Sequence, residues 1–407
     1  MVATTGYNAG IETNSTQMSY AVETAFCGGN VNTPTAPAVA FKALRYVSEN
    51  MSGSKNRQRP NEINITREAT QAVTVSEQAA GTLNGALSYT TYDDLFASGV
   101  GNQWGTPVSI AGATGDIILA GSGPTYTLTA GAGKWAGITA GMWIRLLGFT
   151  LSGGVNNNIY KVVSTTSTVL TLNAPFNSPV AETPAGSAAQ VRALQMGNGT
   201  TFTSLFLQQQ LSSALFLRYP GSYVSGFTVQ GSVGNFVQSN FNIIATQELN
   251  SITNASTGGV VAAPTGSVFN CVGNFSGITW NNALVAATID QFTITANNAG
   301  AAAQYGLGSA AAAGMLSGTF ECNGTFRLFF KDFTLYQNFK SETLGTLSIA
   351  MKDGSGNAYV FTLPNATLMN PQVSAGGPGQ AVMAQFTIEG NPQAAGGTLL
   401  IDRLINV

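Results

Sequence analysis

The sequence predicts a mainly β protein: two tandem β-sandwich or barrel units, each with a short helix, plus an inserted small β module. Three observations predict it. Stretches alternating apolar and polar residues recur along the chain, separated by Gly, Asn and Asp turn residues. A strand–helix–hairpin pattern occurs twice. A segment with strands of its own interrupts the first occurrence.

The pattern is clearest in residues 314–364. Met315 to Phe320 alternates as a half-buried strand. Phe329 to Lys340 reads as an amphipathic helix. Two β-rich runs then flank Asp353-Gly354-Ser355-Gly356, a hairpin turn. Four elements of the N-terminal half match in the same order. Gly81-Thr82-Leu83-Asn84-Gly85 resembles Gly314-Met315-Leu316-Ser317-Gly318. Tyr92 to Phe96 stands where Lys331-Asp332-Phe333 opens the second helix. Ala214 to Pro220 matches Ala358 to Pro364, and Phe241 to Ile244 matches Phe386 to Glu389, at offsets of 144 and 145 residues. The shared order predicts a duplicated β unit.

Taken in order, residues 1–40 are a Thr/Asn/Ala/Pro-rich arm, with a short strand at Met18 to Glu23. The first unit occupies 41–103 and resumes over 195–248. Within it, Phe41 to Asn50 reads as a strand and 51–62 as a long exposed loop. Paired strands follow over 66–89, then a helix from Thr90 to Ser98. Residues 104–194 form the inserted module, with strands at Asp116 to Leu119, Tyr126 to Thr129, Met142 to Phe149, Tyr160 to Ser164 and Val169 to Leu172. Its core is expected around Trp143, Leu146, Phe149 and Tyr160, and the module is expected to project outward. Residues 249–267 read as a Ser/Thr/Gly/Ala linker, and 268–407 as the second unit, ending in a strand at Gly397 to Ile405.

Composition bounds the function. Only 8% of residues are charged, against roughly 25% in an ordinary globular protein. A chain with so little surface charge and 44% hydrophobic residues is expected to hide surface in an extensive homo-oligomer. The net charge of −2 carries no basic patch for groove reading of nucleic acid. Cys27, Cys271 and Cys322 are scattered, which suits free thiols in a reducing compartment. Neither a secretory signal nor an apolar run of about 18 residues is visible.

The chain has no histidine, which removes Ser-His and Cys-His nucleophile pairs and most zinc chemistry. Asp93 and Asp94 are adjacent on a helix and point about 100° apart, so they do not converge as a catalytic pair. No phosphate-cradling glycine loop ends in Lys-Thr. The reading is a non-enzyme with no catalytic, metal or cofactor residues.

Four stretches resemble the major tail tube proteins of long-tailed bacteriophages. They are the arm and first strand, MSYAVETAFCGGNVNTPTAPAVAFKALRYVSENM; RPNEI with GTLNGALSYTTYDDLFASG; GMWIRLLGFTLSGGVNNNIYKVVS; and SGTFECNGTFRLFFKDFTLYQNF with its following Leu-Pro. The resemblance implies tail-tube-type units whose sheets line a hollow conduit for the genome, in stacked rings of six-fold or pseudo-six-fold symmetry. Two units per chain imply three chains per ring. It further implies a virion location with assembly in the host cytoplasm. Implied partners are other copies of the chain, tape measure, terminator and distal tail proteins, and double-stranded DNA in transit, with no membrane. An inner-tube protein of a contractile injection device and a bacterial surface-array or adhesin protein stay open as alternatives.

Strand alternation nominates a channel-facing set opposite Leu83, Leu87, Leu316, Phe320, Cys322, Phe241 and Phe386: Asn84, Ser88, Asn242, Thr246, Ser317, Thr319, Glu321, Thr387 and Glu389. Lys55, Arg57, Arg59 and Glu62 are nominated as loop residues that pair with a neighbouring subunit.

Overall fold

The structure, a computed structural model, describes residues 11–63, 65, 68–184, 189–393 and 397–406. The first ten residues of the expected arm lie outside the described residues. Strands β1 (Gln17–Val22), β2 (Phe41–Ala43), β3 (Ser48–Glu49), β4 (Ser52–Gln58) and β5 (Val73–Ala86) lead into helix α1 (Asp93–Val100). Strands β6 (Val108–Ala111), β7 (Ile118–Ser122), β8 (Thr125–Thr129), β9 (Trp143–Leu147), β10 (Ile159–Thr165), β11 (Val169–Asn173) and β12 (Gln190–Ala193) form a separate sheet, in the order β6-β12-β9-β10-β11-β8-β7. The chain continues through β13 (Gln195–Gly197), β14 (Leu205–Ser212), β15 (Leu215–Ser232), β16 (Gln238–Ala245), β17 (Leu249–Ser251) and β18 (Val260–Val261). The C-terminal half comprises β19 (Phe275–Trp280), β20 (Ala283–Leu284), β21 (Ile289–Ala299), β22 (Ala302–Gln304), β23 (Gly314–Leu316), β24 (Thr319–Phe329), α2 (Thr334–Lys340), β25 (Gly345–Lys352), β26 (Ala358–Ala375), β27 (Val382–Asn391) and β28 (Leu400–Leu404).

The two halves repeat one strand order. β5, α1, β14, β15 and β16 have the same pairings as β24, α2, β25, β26 and β27: first strand against last, and the three later strands as a meander. β1 lies against β14 as β19 lies against β25, and β17 against β15 as β28 against β26. Registers agree as well. Leu83 faces Phe241 as Phe326 faces Phe386, and Gly81 faces Ile243 as Gly324 faces Ile388. Both glycines are required by close approach of the neighbouring strand. A Cβ on Gly81 would lie 2.8 Å from Asn50 O, and one on Gly324 2.4 Å from Thr293 O.

This register corrects the first of the sequence matches. Gly81 corresponds to Gly324, not to Gly314, which lies in the β22–β23 ribbon where Leu316 is exposed. The glycine is demanded by a strand distant in sequence, so the local pattern could not place it. The match of the Ala214 and Ala358 runs agrees with the observed pairing, Tyr219 facing Leu207 as Leu363 faces Leu347, and so does the match of Phe241 with Phe386.

Each half is a sandwich, and no sheet closes into a barrel among the described residues, so the sandwich form of the expected fold applies. The long strands β15 and β26 build it. Their first halves pair with β14 and β25, their second halves with β16 and β27, and each crosses between layers at a register bulge. The layers enclose one continuous core that includes Leu83, Phe241, Tyr219, Ile294, Phe326 and Phe361.

Helix α1 lies inside this core. Phe96 stacks edge-on against Phe227 at 5.0 Å and Phe361 at 5.8 Å, and tilts against Phe241 at 5.2 Å. The helix starts at Asp93 and not at Thr90, whose φ of 64° is left-handed. It ends at Gly101, whose φ of 66° turns its N–H back onto the Ala97 and Ser98 carbonyls. Helix α2 likewise starts later than Phe329, which still belongs to β24. The Asp332 carboxylate accepts the Thr334 N–H at 2.9 Å and sets the start.

Two further expectations change. Residues 52–58 are a strand, β4, paired along β5, and not a loop. All seven of its residues are exposed, so it lacks the apolar alternation that marks a half-buried strand. Residues 249–267 are not free linker, since β17 pairs with β15 and β18 with β2. Within the arm, β1 is a buried strand between β14 and β2, with Met18 and Tyr20 in the core.

Candidate assembly surfaces

Seven consecutive strands, β5-β16-β15-β21-β24-β27-β26, run across both halves, joined at the centre by β15 against β21. One face of this array packs on the core. The other is polar: Asn84, Asn240, Thr228, Thr295, Asn323 and Glu389 lie in lateral register on it. At the central seam the Thr228 and Thr295 hydroxyls lie 3.3 Å apart and share a hydrogen bond. The charged groups there are few. Arg327 forks onto Asp290 through Nε and Nη2 at 2.6–3.0 Å, while Glu321 and Glu389 are exposed on adjacent strands.

The array has two open edges. Among the described residues, β4 extends beside β5 with no strand on its outer edge, and on the other side the second half of β26 pairs with β27 alone. Unpaired edges of this length template pairing with another chain.

A family model described as phage tail tube protein matches residues 13–390. The chain belongs to the phage tail tube protein family. No curated protein matches it. This tail tube protein is therefore a structural component of a phage virion, and the open edges and the polar face belong to a subunit of a self-assembling tube.

Within the tail tube protein, the nominated channel residues divide. Asn242, Ser317, Thr319, Glu321 and Glu389 are exposed, and Asn84 and Thr387 half-buried. Asn84 donates its amide to the Ser48 hydroxyl at 3.1 Å. Ser88 and Thr246 are fully buried and face no surface: Ser88 bonds Thr91 at 2.6 Å, and Thr246 donates to the Pro220 carbonyl at 3.0 Å. Both lie just past the ends of their strands, where alternation no longer predicts direction. Of the nominated loop residues, Lys55 pairs with Glu77 of its own chain at 3.2 Å. Arg57 donates to the Ala72 carbonyl at 2.7 Å, and Arg59 and Glu62 are exposed.

Sequence reasoning missed two polar centres. The first joins the halves through α1. Asp93 accepts from the Tyr359 hydroxyl and from Arg403, both in the C-terminal half. Asp94, next along, accepts from Tyr20 at 2.8 Å and pairs with Lys42 at 2.6 Å. The divergent directions expected of adjacent helical acids thus serve two clamps.

The second centre docks the β6–β12 sheet. Trp143 packs with Ile159, Ala350, Val360 and Leu404, not with Leu146, Phe149 and Tyr160, which line the core of their own sheet. Asp402 accepts the Trp143 backbone N–H at 3.1 Å and the Gln195 amide at 3.0 Å. Burial raises the Asp402 carboxyl to about 7 and lowers the Lys161 ammonium, 6.0 Å above the Trp143 ring, to about 8. Ala350 and Val360 point away from the main core, so the seven-stranded sheet sits on the side of the sandwich remote from the polar face.

Proposed function

We propose that the polar face lines the lumen of a long flexible phage tail, and that stacked rings of this subunit form the conduit through which double-stranded DNA leaves the virion. The observation that carries the reading is one uninterrupted polar array, contributed by both repeats and backed by a continuous core. Three chains would supply six similar units to each ring. A DNA conduit must not hold its cargo, and clustered cations would bind phosphate through counterion release. The face instead presents exposed Glu321 and Glu389, with Arg327 held by Asp290. Tape measure, terminator and distal tail proteins would meet the ends of the stack during assembly in the host cytoplasm. The β6–β12 sheet, on the opposite side from the polar face, would project outward.

Negative-stain microscopy of the purified protein tests the class, with hollow tubes or rings expected. Replacing both Glu321 and Glu389 with Lys should leave tubes intact and slow genome ejection. Unchanged ejection with both lysines in place would remove the electrostatic part of the reading.

A further inference from the structure

We infer that the seam joining the two halves of one chain is repeated between chains, with the outer edge of β3–β4 of one copy pairing antiparallel with the second half of β26 of the next. The inference rests on the tube reading and names the contact that closes each ring.

Within the chain, β21 pairs with β24 on one side and β15 on the other. Its counterpart in the first half is β3–β4: Glu49 faces Leu83 as Phe292 faces Phe326, and Ser52 faces Ala80 as Thr295 faces Asn323. Among the described residues, no strand lies on the outer side of that counterpart. The second half of β26 is the counterpart of the second half of β15: Gln372 faces Gln385 as Thr228 faces Asn240, and Val373 faces Ala384 as Val229 faces Ser239. Among the described residues it too has no strand on its outer side. The observed pairs Thr228–Thr295 and Val229–Ile294 therefore place Gln372 opposite Ser52 of the next copy, and Val373 opposite Met51.

The donors already point the right way. Asn50 donates to the Thr82 carbonyl across β5 at 3.1 Å, so the Met51 and Gly53 N–H groups turn outward. In the single chain they donate to carboxylates, Met51 to Glu49 at 2.9 Å and Gly53 to Glu248 at 3.0 Å. In the seam they would donate to the carbonyls of Val373 and Pro371. Pro371 has no N–H to give, and proline is tolerated on an edge strand for that reason. The seam between chains thus has one fewer ladder bond than the seam within a chain. A free chain with carboxylate-capped donors on one edge and a proline on the other is also protected against indiscriminate strand pairing.

The test is a pair of cysteines, Ser52→Cys with Gln372→Cys, in a chain with Cys271→Ser. These positions correspond to a non-hydrogen-bonded pair, whose Cα separation of about 4.5 Å admits a disulfide. Mild oxidation of assembled tubes should convert the monomer band on a non-reducing gel to a covalent species that stops at the ring size. Ser54→Cys with Gln372→Cys, out of register, should link far less. Val373→Pro removes an outward donor without touching the β27 ladder, and should give a folded monomer by circular dichroism that no longer assembles. Tubes that form without the Ser52–Gln372 link, or that form normally from the proline variant, overturn the seam and leave the tube reading standing. A wild-type chain that forms neither tubes nor rings overturns both.

Discussion

Helices α1 and α2 occupy the same place in two repeats of one strand order, yet their surroundings differ. Seven of the eight residues of α1 are buried, and its Gly99 carbonyl accepts from Asn298 at the end of β21, a strand of the other half. α2 has no buried residue: Phe333, just before it, is 61% exposed, and within it only Leu335 and Phe339 lean on the core. Beside it a cleft of about 160 Å³ is lined by Trp280, Leu284, Leu328 and Phe386. Strands of both repeats pack on α1, whereas among the described residues α2 packs on β26 of its own repeat. The comparison teaches that the second unit is complete as a fold and incomplete as a surface.

Truncating one aromatic side chain at each helix has the largest expected effect. Phe96→Ala should cost about 3–5 kcal/mol in urea unfolding of the monomer, as for other buried aromatics, whereas Phe333→Ala should stay within about 0.5 kcal/mol. Equal losses would mean that α2 is enclosed in the free chain. Next in size, Asp93→Ala leaves half-buried Arg403 and the buried Tyr359 hydroxyl without their carboxylate and should cost about 3 kcal/mol. The matching change near the start of α2, Asp332→Ala, removes one exposed hydrogen bond to Thr334 and should lower the melting temperature only slightly.

Smaller again, Gly81→Ala and Gly324→Ala should each destabilise by about 1–3 kcal/mol, because both added methyls meet a backbone oxygen at the same place in the repeat. A large loss for one and none for the other would separate the registers drawn together above. The gentlest probe is pH. Asp402 keeps its proton up to about 7 in the folded chain, far above its ordinary value near 4. Its contribution to stability is therefore full at low pH and is lost as pH rises from about 4 through 7. Asp402→Asn should flatten the melting temperature over that window.

The strand–helix–hairpin order, the long strands around Ala214 and Ala358, and the polar alternation through Asn242, Glu321 and Glu389 were legible because each is written in residues close together. β4 was not. Serines, Lys55 and Arg57 alternate on an edge strand with both faces wet, and no apolar period marks such a strand. Trp143 was assigned to the wrong core for a related reason. Alternation shows which residues share a face, but not which sheet that face will meet.

By itself the sequence determined the β class, the repeat, the family and a face free of clustered cations, since composition and local period depend only on neighbouring residues. The tertiary structure alone decided that Gly81 answers to Gly324, that Asp93 ties α1 to Tyr359 and Arg403, and that the outermost strands end unpaired. Those facts depend on which distant segments share a ladder. A ladder is fixed by pairing register and core closure across the whole chain, and no single window of sequence contains it.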